Sequence, residues 1–166
     1  QDNFLHDNQS EGLFIDHSHD NTITTNTFTL NDHCALVTNY AERNTITNNE
    51  VYENTCGISL WTNSIANVFQ GNRLHENPCW GIGIWFGSNH NNFSHNVIVN
   101  NGDWGISFTS SDSNTLVDNV ILNHQIGLEF EEANDNRLES NVICNHSMFD
   151  FSFYGTCQNN TGSNNT

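Results

Sequence analysis

Asn44-Thr-Ile-Thr-Asn-Asn-Glu-Val-Tyr-Glu-Asn-Thr-Cys-Gly-Ile-Ser-Leu60 is the stretch that decides the fold, because its pattern returns throughout the chain of 166 residues. Asparagine stands at its first, sixth and eleventh positions, with short apolar segments between. The sixth-position asparagine recurs with gaps of 22 to 24 residues, as Asn3, Asn26, Asn49, Asn72, Asn96, Asn119, Asn141 and Asn164. One residue type held at a fixed period indicates one structural unit stacked on itself.

Two further polar series keep the same period. One runs five residues earlier, as Asn21, Asn44, Asn67, Asn91, Asn114, Asn136 and Asn159. The other runs five residues later, as Asn8, Asn31, Asn54, Asn77 and Asn101, and continues as His124 and His146. We expect these side chains at the corners of the unit, because asparagine tolerates positive φ and stacked amides can form a continuous hydrogen-bonded ladder.

Apolar residues also keep register, which separates a true repeat from an asparagine-rich low-complexity tract. The first predicted column is Ile23, Ile46, Phe69, Phe93, Leu116, Leu138 and Thr161, and the second is Leu5, Phe28, Val51, Leu74, Ile98, Ile121, Ile143 and Thr166. The third is Leu13, Ala35, Ile58, Ile82, Ile106, Leu128 and Phe151, and the fourth is Ile15, Val37, Leu60, Ile84, Phe108, Phe130 and Phe153. One residue separates the third column from the fourth, which is the strand period of two.

These spacings predict an all-β fold, a single-stranded right-handed parallel β-helix of about seven turns of 22–24 residues that forms one domain over 1–166. No unit contains an apolar series at helical spacing, and right-handed crossovers are the rule between parallel strands. No end cap is recognisable at either end of the pattern. We therefore expect a subunit that stacks end to end, or an excerpt of a longer array.

The charge balance argues against several classes of binding partner. Three arginines, no lysine and 19 acidic residues give a formal charge of −16, which argues against nucleic acid and anionic membrane surfaces. It also argues against polyanionic sugars unless a divalent cation bridges them. No apolar run is long enough for insertion into a membrane. We expect an extracellular, cell-surface or periplasmic location.

Five cysteines are consistent with an oxidising compartment, although their odd number leaves at least one unpaired. In the stacking arrangement Cys34, Cys56 and Cys79 fall near one corner on consecutive turns, where a pair could bridge two turns, and Cys144 and Cys157 could close within a turn. The sequence does not choose between these disulfide candidates. Formal acceptors for N-glycosylation are Asn8, Asn92, Asn145, Asn159 and Asn164.

Units such as Asn44-Thr-Ile-Thr-Asn-Asn-Glu-Val-Tyr-Glu-Asn followed by Gly57-Ile-Ser-Leu, and Asn114-Thr-Leu-Val-Asp-Asn-Val-Ile followed by Gly127-Leu-Glu-Phe, resemble a known family. They are similar to the repeats of NosD-like periplasmic proteins in the pectate-lyase-like superfamily. Mannuronan epimerases and surface-layer or adhesin-like proteins of archaea carry similar repeats. The resemblance covers the whole chain and implies the fold, but the family places enzymes, sugar binders and structural arrays on one scaffold.

The sequence supplies no catalytic residue. The resemblance implies lyases and epimerases that use Lys, Arg, His or Tyr beside a neutralising cation, whereas here lysine is absent and Arg43, Arg73 and Arg137 occupy different positions of their units. The epimerase element Tyr-Gly-Phe-Asp-Pro-His is missing. Glycosidases need paired carboxylates, and Glu129 and Glu131 share one turn without an acidic partner on the turns beside it. We expect binding or structure rather than catalysis.

Metal ligands are a further candidate. His17 and His19 form a short H-x-H pair, and His124 and His146 stand on adjacent turns, although histidines that replace asparagine in a ladder explain the same pattern. The acidic residues Glu131, Glu132 and Asp135 predict a calcium site. The alternative is that they form a solvated acidic face without a bound ion. The NosD likeness implies copper delivery, which would require a cluster of methionines or of cysteines. The chain has only one methionine, Met148.

Four tryptophans collect on three adjacent turns. Trp61 and Trp85 each follow the last inward residue of a strand, and Trp80 and Trp104 each precede the glycine of their unit. Exposed indoles form platforms on which sugar rings stack, whereas the alternative is an aromatic ladder packed against the corner backbone. Two functions remain open: a structural or adhesive rod, whose partners are its own copies or flanking repeats, and a carbohydrate-binding or carbohydrate-processing β-helix that uses the tryptophan face.

Overall fold

The computed structural model describes all 166 residues and contains strands but no helix. In chain order the strands are β1 Phe4–His6, β2 Leu13–Asp16, β3 Thr22–Thr24, β4 Thr27–Thr29, β5 Cys34–Asn39, β6 Thr45–Thr47, β7 Glu50–Tyr52, β8 Cys56–Leu60, β9 Val68–Gln70, β10 Arg73–His75, β11 Trp80–Trp85, β12 Asn92–Ser94, β13 Val97–Val99, β14 Trp104–Thr109, β15 Thr115–Val117, β16 Val120–Leu122, β17 Ile126–Glu131, β18 Arg137–Glu139, β19 Val142–Cys144, β20 Phe149–Tyr154 and β21 Thr161–Ser163.

The strands form three parallel sheets of seven strands each, and each turn of the coil contributes one strand to every sheet. Sheet 1 runs β1-β4-β7-β10-β13-β16-β19, sheet 2 runs β2-β5-β8-β11-β14-β17-β20, and sheet 3 runs β3-β6-β9-β12-β15-β18-β21. Sheet 2 has the longest strands, of up to six residues, and therefore the widest outer face. The predicted all-β solenoid of about seven turns is confirmed.

The core lies inside the coil, where residues of the four apolar columns meet from all three sheets. It consists of 22 buried apolar side chains in one cluster. Phenylalanines stack between turns, with ring centroids 5.0 Å apart for Phe69 and Phe93 and 4.8 Å for Phe108 and Phe130. Each turn alone could bury little apolar surface, so the stacking of turns supplies the stability of the rod.

Asparagine ladders run along the corners, as predicted. In the ladder that contains Asn72, the side-chain Oδ1 accepts from the backbone N–H of Asn49 at 3.0 Å and from its Nδ2 at 2.9 Å. The Asn72 Nδ2 donates to the Ile46 carbonyl at 2.9 Å and to the Asn96 Oδ1 at 3.1 Å. The amide thus satisfies backbone groups that the bend would otherwise leave unpaired.

One of the two predicted reasons for asparagine at these positions was wrong, namely its tolerance of positive φ, whereas the predicted hydrogen-bonded ladder is confirmed. The residue with positive φ is the one before each ladder asparagine, such as Asn48 before Asn49 and Ala66 before Asn67, whereas the ladder asparagines themselves do not have positive φ in the interior of the rod. Ladder asparagines are instead almost fully buried, and their amides cap the bend. Hydrogen bonding rather than backbone permissiveness therefore selects asparagine.

The last unit is shifted by one residue from the prediction. Asn160 and Asn165, not Asn159 and Asn164, accept the ladder bonds from Asn136 and Asn141. Both predicted residues have positive φ instead. In the apolar columns Gly162 takes the place predicted for Thr161, opposite Leu138. Thr166 moves out of its column by the same shift, because its N–H bonds to the Asn141 carbonyl as that of Val142 bonds to Asn119. Two adjacent asparagines fit the period equally well, and pairing with the preceding turn selects the second.

A second shift occurs in β5. Leu36 pairs with Leu13 and Ile58 in place of Ala35, and Thr38 takes the inward position predicted for Val37. Val37 faces outward. The corner after Asn31 is one residue longer than the corner after Asn54, and the run Cys34-Ala-Leu-Val is apolar throughout, so alternation could not reveal the register.

Candidate functional site: the outer face of sheet 2

An aromatic surface covers the outer face of sheet 2 between its first and fifth strands; we define it by Phe14, Trp61, Trp80, Trp85 and Trp104. Trp61 follows Leu60, which pairs with Ile84 directly before Trp85, and Trp80 pairs with Trp104. Trp61 and Trp85 thus lie on the outer side of adjacent turns, as predicted, and the structure places Trp80 on the same face, against Ser59. All four are partly exposed, and Phe14 is 46% exposed.

Trp80 and Trp85 form the centre of the aromatic surface. Their rings meet edge to face within a single turn, with centroids 5.3 Å apart and planes at 75°. The Trp80 Nε1 donates to the Ser59 Oγ at 3.0 Å on the turn below. Gly83 lies beneath Trp85, because a Cβ at that position would stand 2.4 Å from the indole Cζ2. Gly83 lets the Trp85 indole lie flat against the strand, and Ser59 orients the Trp80 indole.

Trp61 belongs to a second group of rings. It meets Phe14 edge to face at 5.8 Å and His33 at 6.3 Å. The His33 Nδ1 lies 2.8 Å from a carboxylate oxygen of Glu11, which fixes the imidazole at the rim. Sequence reasoning missed Phe14 and His33, although the outward position between Leu13 and Ile15 could have revealed Phe14 from strand alternation.

The aromatic surface ends at an acidic strip on β17. The Ser107 Oγ donates to Glu129 at 3.2 Å, and the Thr109 Oγ1 donates to Glu131 at 3.3 Å. Beside them the Trp104 Nε1 is shielded from solvent and has no hydrogen-bond partner. The neighbours of Glu129 on the adjoining strands are Ser107 and Ser152, so no carboxylate pair spans two turns here.

Three thiols lie beneath the indoles. Cys34 and Cys56 are buried with Val37 in a small cluster on the outer face, against which Trp61, Cys79 and Trp80 pack. All five cysteines of the chain are free thiols. Cys144 is exposed at the end of β19, whereas the Cys157 thiol packs against the interior and donates to the Phe130 carbonyl at 3.4 Å. The side chains of Cys144 and Cys157 therefore lie in different environments, the first in solvent and the second against the core.

His124 and His146 continue the third ladder, with stacked rings 5.4 Å apart. The His124 Nδ1 accepts from the Asn101 N–H at 3.2 Å, its Nε2 lies 3.1 Å from the Ile98 carbonyl, and the His146 Nδ1 accepts from the His124 N–H at 3.2 Å. Burial lowers the pKa of both imidazoles. Both nitrogens of His124 are thus engaged by the backbone, so they perform the role of an asparagine amide.

The other predicted metal ligands do not converge. His17 and His19 contact separate carboxylates, Asp16 at 2.9 Å and Asp20 at 2.8 Å. The acidic residues predicted to hold calcium are all exposed: Glu131 ends β17, and Glu132 and Asp135 lie on the turn after it. The structure brings no three His, Cys, Asp or Glu side chains together as a metal-binding group.

The five formal glycosylation acceptors are all exposed: Asn8, Asn92, Asn145, Asn159 and Asn164. Their modification stays a prediction. The structure contains no helix that is long and apolar enough to cross a bilayer. Arg43 contacts Asp20 and Glu42, Arg73 contacts Glu50, and Arg137 contacts Glu139, all exposed pairs outside the aromatic surface.

With three stacked parallel sheets and this outer face, the chain belongs to the right-handed β-helix repeat family. The model described as "Right handed beta helix region" matches residues 1–98. The model described as "Periplasmic copper-binding protein (NosD)" matches residues 77–166. No curated protein matches the chain significantly.

Solved structures share the fold. The periplasmic alginate epimerase AlgG superposes with a TM-score of 0.74 at 20% identity, over 84% of this chain and 35% of AlgG. The A-module of the Azotobacter vinelandii mannuronan C-5 epimerase AlgE4 superposes with a TM-score of 0.75 at 17% identity, over 98% of this chain and 55% of the module. The chain thus spans about a third to a half of these structures, and the likeness shows the fold alone.

Copper is the metal that the second family description names. Cu(I) prefers thiolate and thioether ligands, and Cu(II) prefers imidazole in a tetragonal arrangement. Here the only methionine, Met148, is 55% exposed, His124 is engaged by the backbone, and the neighbouring thiols of Cys34, Cys56 and Cys79 do not meet as a three-ligand group. The residues present do not fit a copper site, and we derive no function through this metal.

Proposed function

We propose that the chain is an extracytoplasmic carbohydrate-binding β-helix whose aromatic surface stacks against sugar rings. The observation that carries the proposal is the pair Trp80 and Trp85, held rigidly over Gly83 and Ser59 with their remaining area open to solvent. Rigid indoles supply apolar contact area at little cost in conformational entropy. Polar groups of Ser107, Thr109 and Glu129 lie one or two strands away, where they could accept or donate bonds to sugar hydroxyls.

Charge and likeness support the same proposal. A formal charge of −16 favours neutral or amino sugars over uronate polymers. The superposed epimerases are described by their names as acting on alginate and mannuronan, and AlgG and the matching copper-binding family are described as periplasmic. We therefore place this chain in the periplasm or outside the cell. Catalysis is not part of the proposal, since no carboxylate pair or lysine accompanies the aromatic surface.

A glycan array that includes neutral, amino and uronate oligosaccharides tests the proposal, followed by calorimetry on the glycans retained. Replacing Trp85 by alanine should weaken binding about fivefold, because an aromatic contact contributes ~1 kcal/mol. The matched control is Phe4→Ala, since Phe4 is exposed on β1 of sheet 1 and its ring meets His6 rather than a residue of the aromatic surface. Wild-type affinity in Trp85→Ala, or no retained glycan at all, would contradict the proposal.

A second candidate function is structural, as a segment of a surface array or filament. The observation that favours it is the β20 end of the rod, where the inward-column residues Phe151 and Phe153 are 41% and 55% exposed beside Phe149 at 49%. Further β-helix turns, from flanking repeats or from a second copy, would cover these rings. Analytical ultracentrifugation and electron microscopy of the wild type and Phe153→Asp test it. Concentration-dependent filaments that Phe153→Asp abolishes would support this role, and a monomer at every concentration would exclude self-stacking.

A further inference from the structure

Cys34 and Cys56 are placed as a disulfide would require. They are direct register partners on the neighbouring parallel strands β5 and β8, and both side chains belong to the outer-face cluster. Neighbouring strands stand ~4.8 Å apart. This spacing lies within the Cα separation of about 4.4 to 6.8 Å that disulfides adopt. The two thiols can therefore be joined with little movement of the backbone.

Cys79 extends the pair to a row of three. It precedes β11, its N–H donates to the Thr55 carbonyl at 3.0 Å, and its side chain packs against the same cluster. Cys56 is in register with Cys34, and Cys79 packs against the cluster that these two residues share. Cys34 and Cys56 are 0% and 3% exposed, whereas Cys79 is partly exposed. Solvent thus reaches the outer member of the row, and Cys56 lies between the other two.

The surroundings of Cys34 favour its thiolate. A hydrogen bond from the Cys56 thiol, followed by one from the Ser59 hydroxyl at 3.3 Å, lowers the pKa of Cys34 to about 7. The same interaction raises the pKa of Cys56, which acts as the proton donor. A thiolate beside a neutral thiol is the arrangement that thiol–disulfide exchange uses, because the thiolate is the nucleophile.

We propose that Cys34, Cys56 and Cys79 form a thiol–disulfide exchange site in which Cys79 reacts with an external disulfide and the bond then moves inward to Cys34 and Cys56. The Cys79 thiolate attacks one sulfur of the external disulfide, forms a mixed disulfide and releases one thiolate, which takes up a proton. Cys56 passes its proton to the neighbouring Cys34 thiolate and, as a thiolate, attacks the Cys79 sulfur; the second external thiolate leaves and takes up the proton from Cys34. Two protein thiols are thereby oxidised, and the external disulfide is reduced to two thiols.

The last step is internal. The Cys34 thiolate attacks the Cys56 sulfur, so that the Cys34–Cys56 bond forms and the Cys79 thiolate leaves without any further change in oxidation state. The final disulfide is buried beneath Trp61 and Trp80. This burial protects it from reducing thiols in solution, since exchange depends on access to the sulfur.

The arginines make the proposal easy to test. Trypsin cleaves after Arg43, Arg73 and Arg137, so Cys34, Cys56 and Cys79 fall in the separate peptides 1–43, 44–73 and 74–137. The reduced chain is equilibrated with oxidised glutathione, its remaining thiols are blocked with N-ethylmaleimide, and the digest is examined by mass spectrometry. We expect peptide 1–43 linked to peptide 44–73, with Cys79 alkylated. Three alkylated thiols, or glutathione left on Cys79 without a linked peptide, would overturn the proposal.

Variants separate the exchange route from a simple bridge. Cys79→Ser should slow formation of the Cys34–Cys56 link about tenfold or more, because buried thiols react only after local opening. Cys34→Ser should stop the reaction at peptide 44–73 linked to peptide 74–137. A double variant, Cys144→Ser with Cys157→Ser, is the control and should oxidise at the wild-type rate. An unchanged rate in a correctly folded Cys79→Ser chain, with the fold verified by circular dichroism, would refute the entry role of Cys79.

Discussion

Replacing Asn72 by alanine measures how much one ladder amide contributes to the rod. Asn72 is 1% exposed, and its side chain makes four hydrogen bonds to the turns on either side. The substitution leaves the Asn49 N–H and one Nδ2 hydrogen of Asn49 without an acceptor. Each buried unpaired donor costs ~1–3 kcal/mol, so we expect a loss of about 4 kcal/mol in the free energy of unfolding.

Urea denaturation followed by circular dichroism measures this loss, with the slope of the transition checked because stacked repeats can lose cooperativity. The matched control is Asn92→Ala, since Asn92 is exposed on the outer face of β12; we expect a change within ~0.5 kcal/mol there. Asn3→Ala should fall between the two, because Asn3 is exposed and its side chain bonds only to Asn26. Equal losses in Asn72→Ala and Asn92→Ala would refute the capping role of the ladders.

Three further predictions address other parts of the rod. Burial lowers the pKa of His124 in the folded chain, so the native form binds fewer protons than the unfolded form. The free energy of unfolding should therefore fall as the pH drops below the unfolded pKa of ~6.5. Urea titrations at pH 5 to 8 should show a flatter decline for His124→Asn. Gly83→Val should displace the Trp85 indole, which a Cβ would approach to 2.4 Å, and so weaken glycan binding and shift the tryptophan fluorescence while the circular dichroism spectrum stays β-helical. Asn164→Gly should be tolerated because Asn164 has a φ of 54°, whereas Asn165→Ala should destabilise the last turn; the reverse order in thermal melts would contradict the register of the last unit.

Most of the fold could be predicted because two independent sequence patterns, one polar and one apolar, indicate the same repeat. Polar ladders and apolar columns share one period, and an alternation of two within the unit excludes helices. The errors fell where local pattern is ambiguous, at the apolar run around Ala35 and at the adjacent asparagines 159–160 and 164–165. At each place only pairing with the neighbouring turn distinguishes two registers that differ by one residue.

The candidate site could be predicted only in part. Outward placement of Trp61 and Trp85 follows from strand alternation, but the sequence does not reveal that Trp80 lies on the same face and contacts Trp85 rather than Trp104. That contact depends on the missing side chain at Gly83 and on the hydroxyl of Ser59 one turn away. Likewise, the sequence places histidines and cysteines on adjacent turns, but only the fold shows that no three of them meet as a metal-binding group.

The sequence by itself determined the architecture, because asparagine and apolar residues repeat together every 22–24 residues, and such a repeat indicates similar turns stacked on one another. Tertiary structure decided which asparagines cap the bends, which side of β5 faces the core and which thiols share a cluster. The physical reason is that periodicity is a local property of the chain, whereas register, burial and ring contacts are set by the strand on the next turn. For that reason the aromatic surface and the row of thiols beneath it become visible only after the turns are stacked.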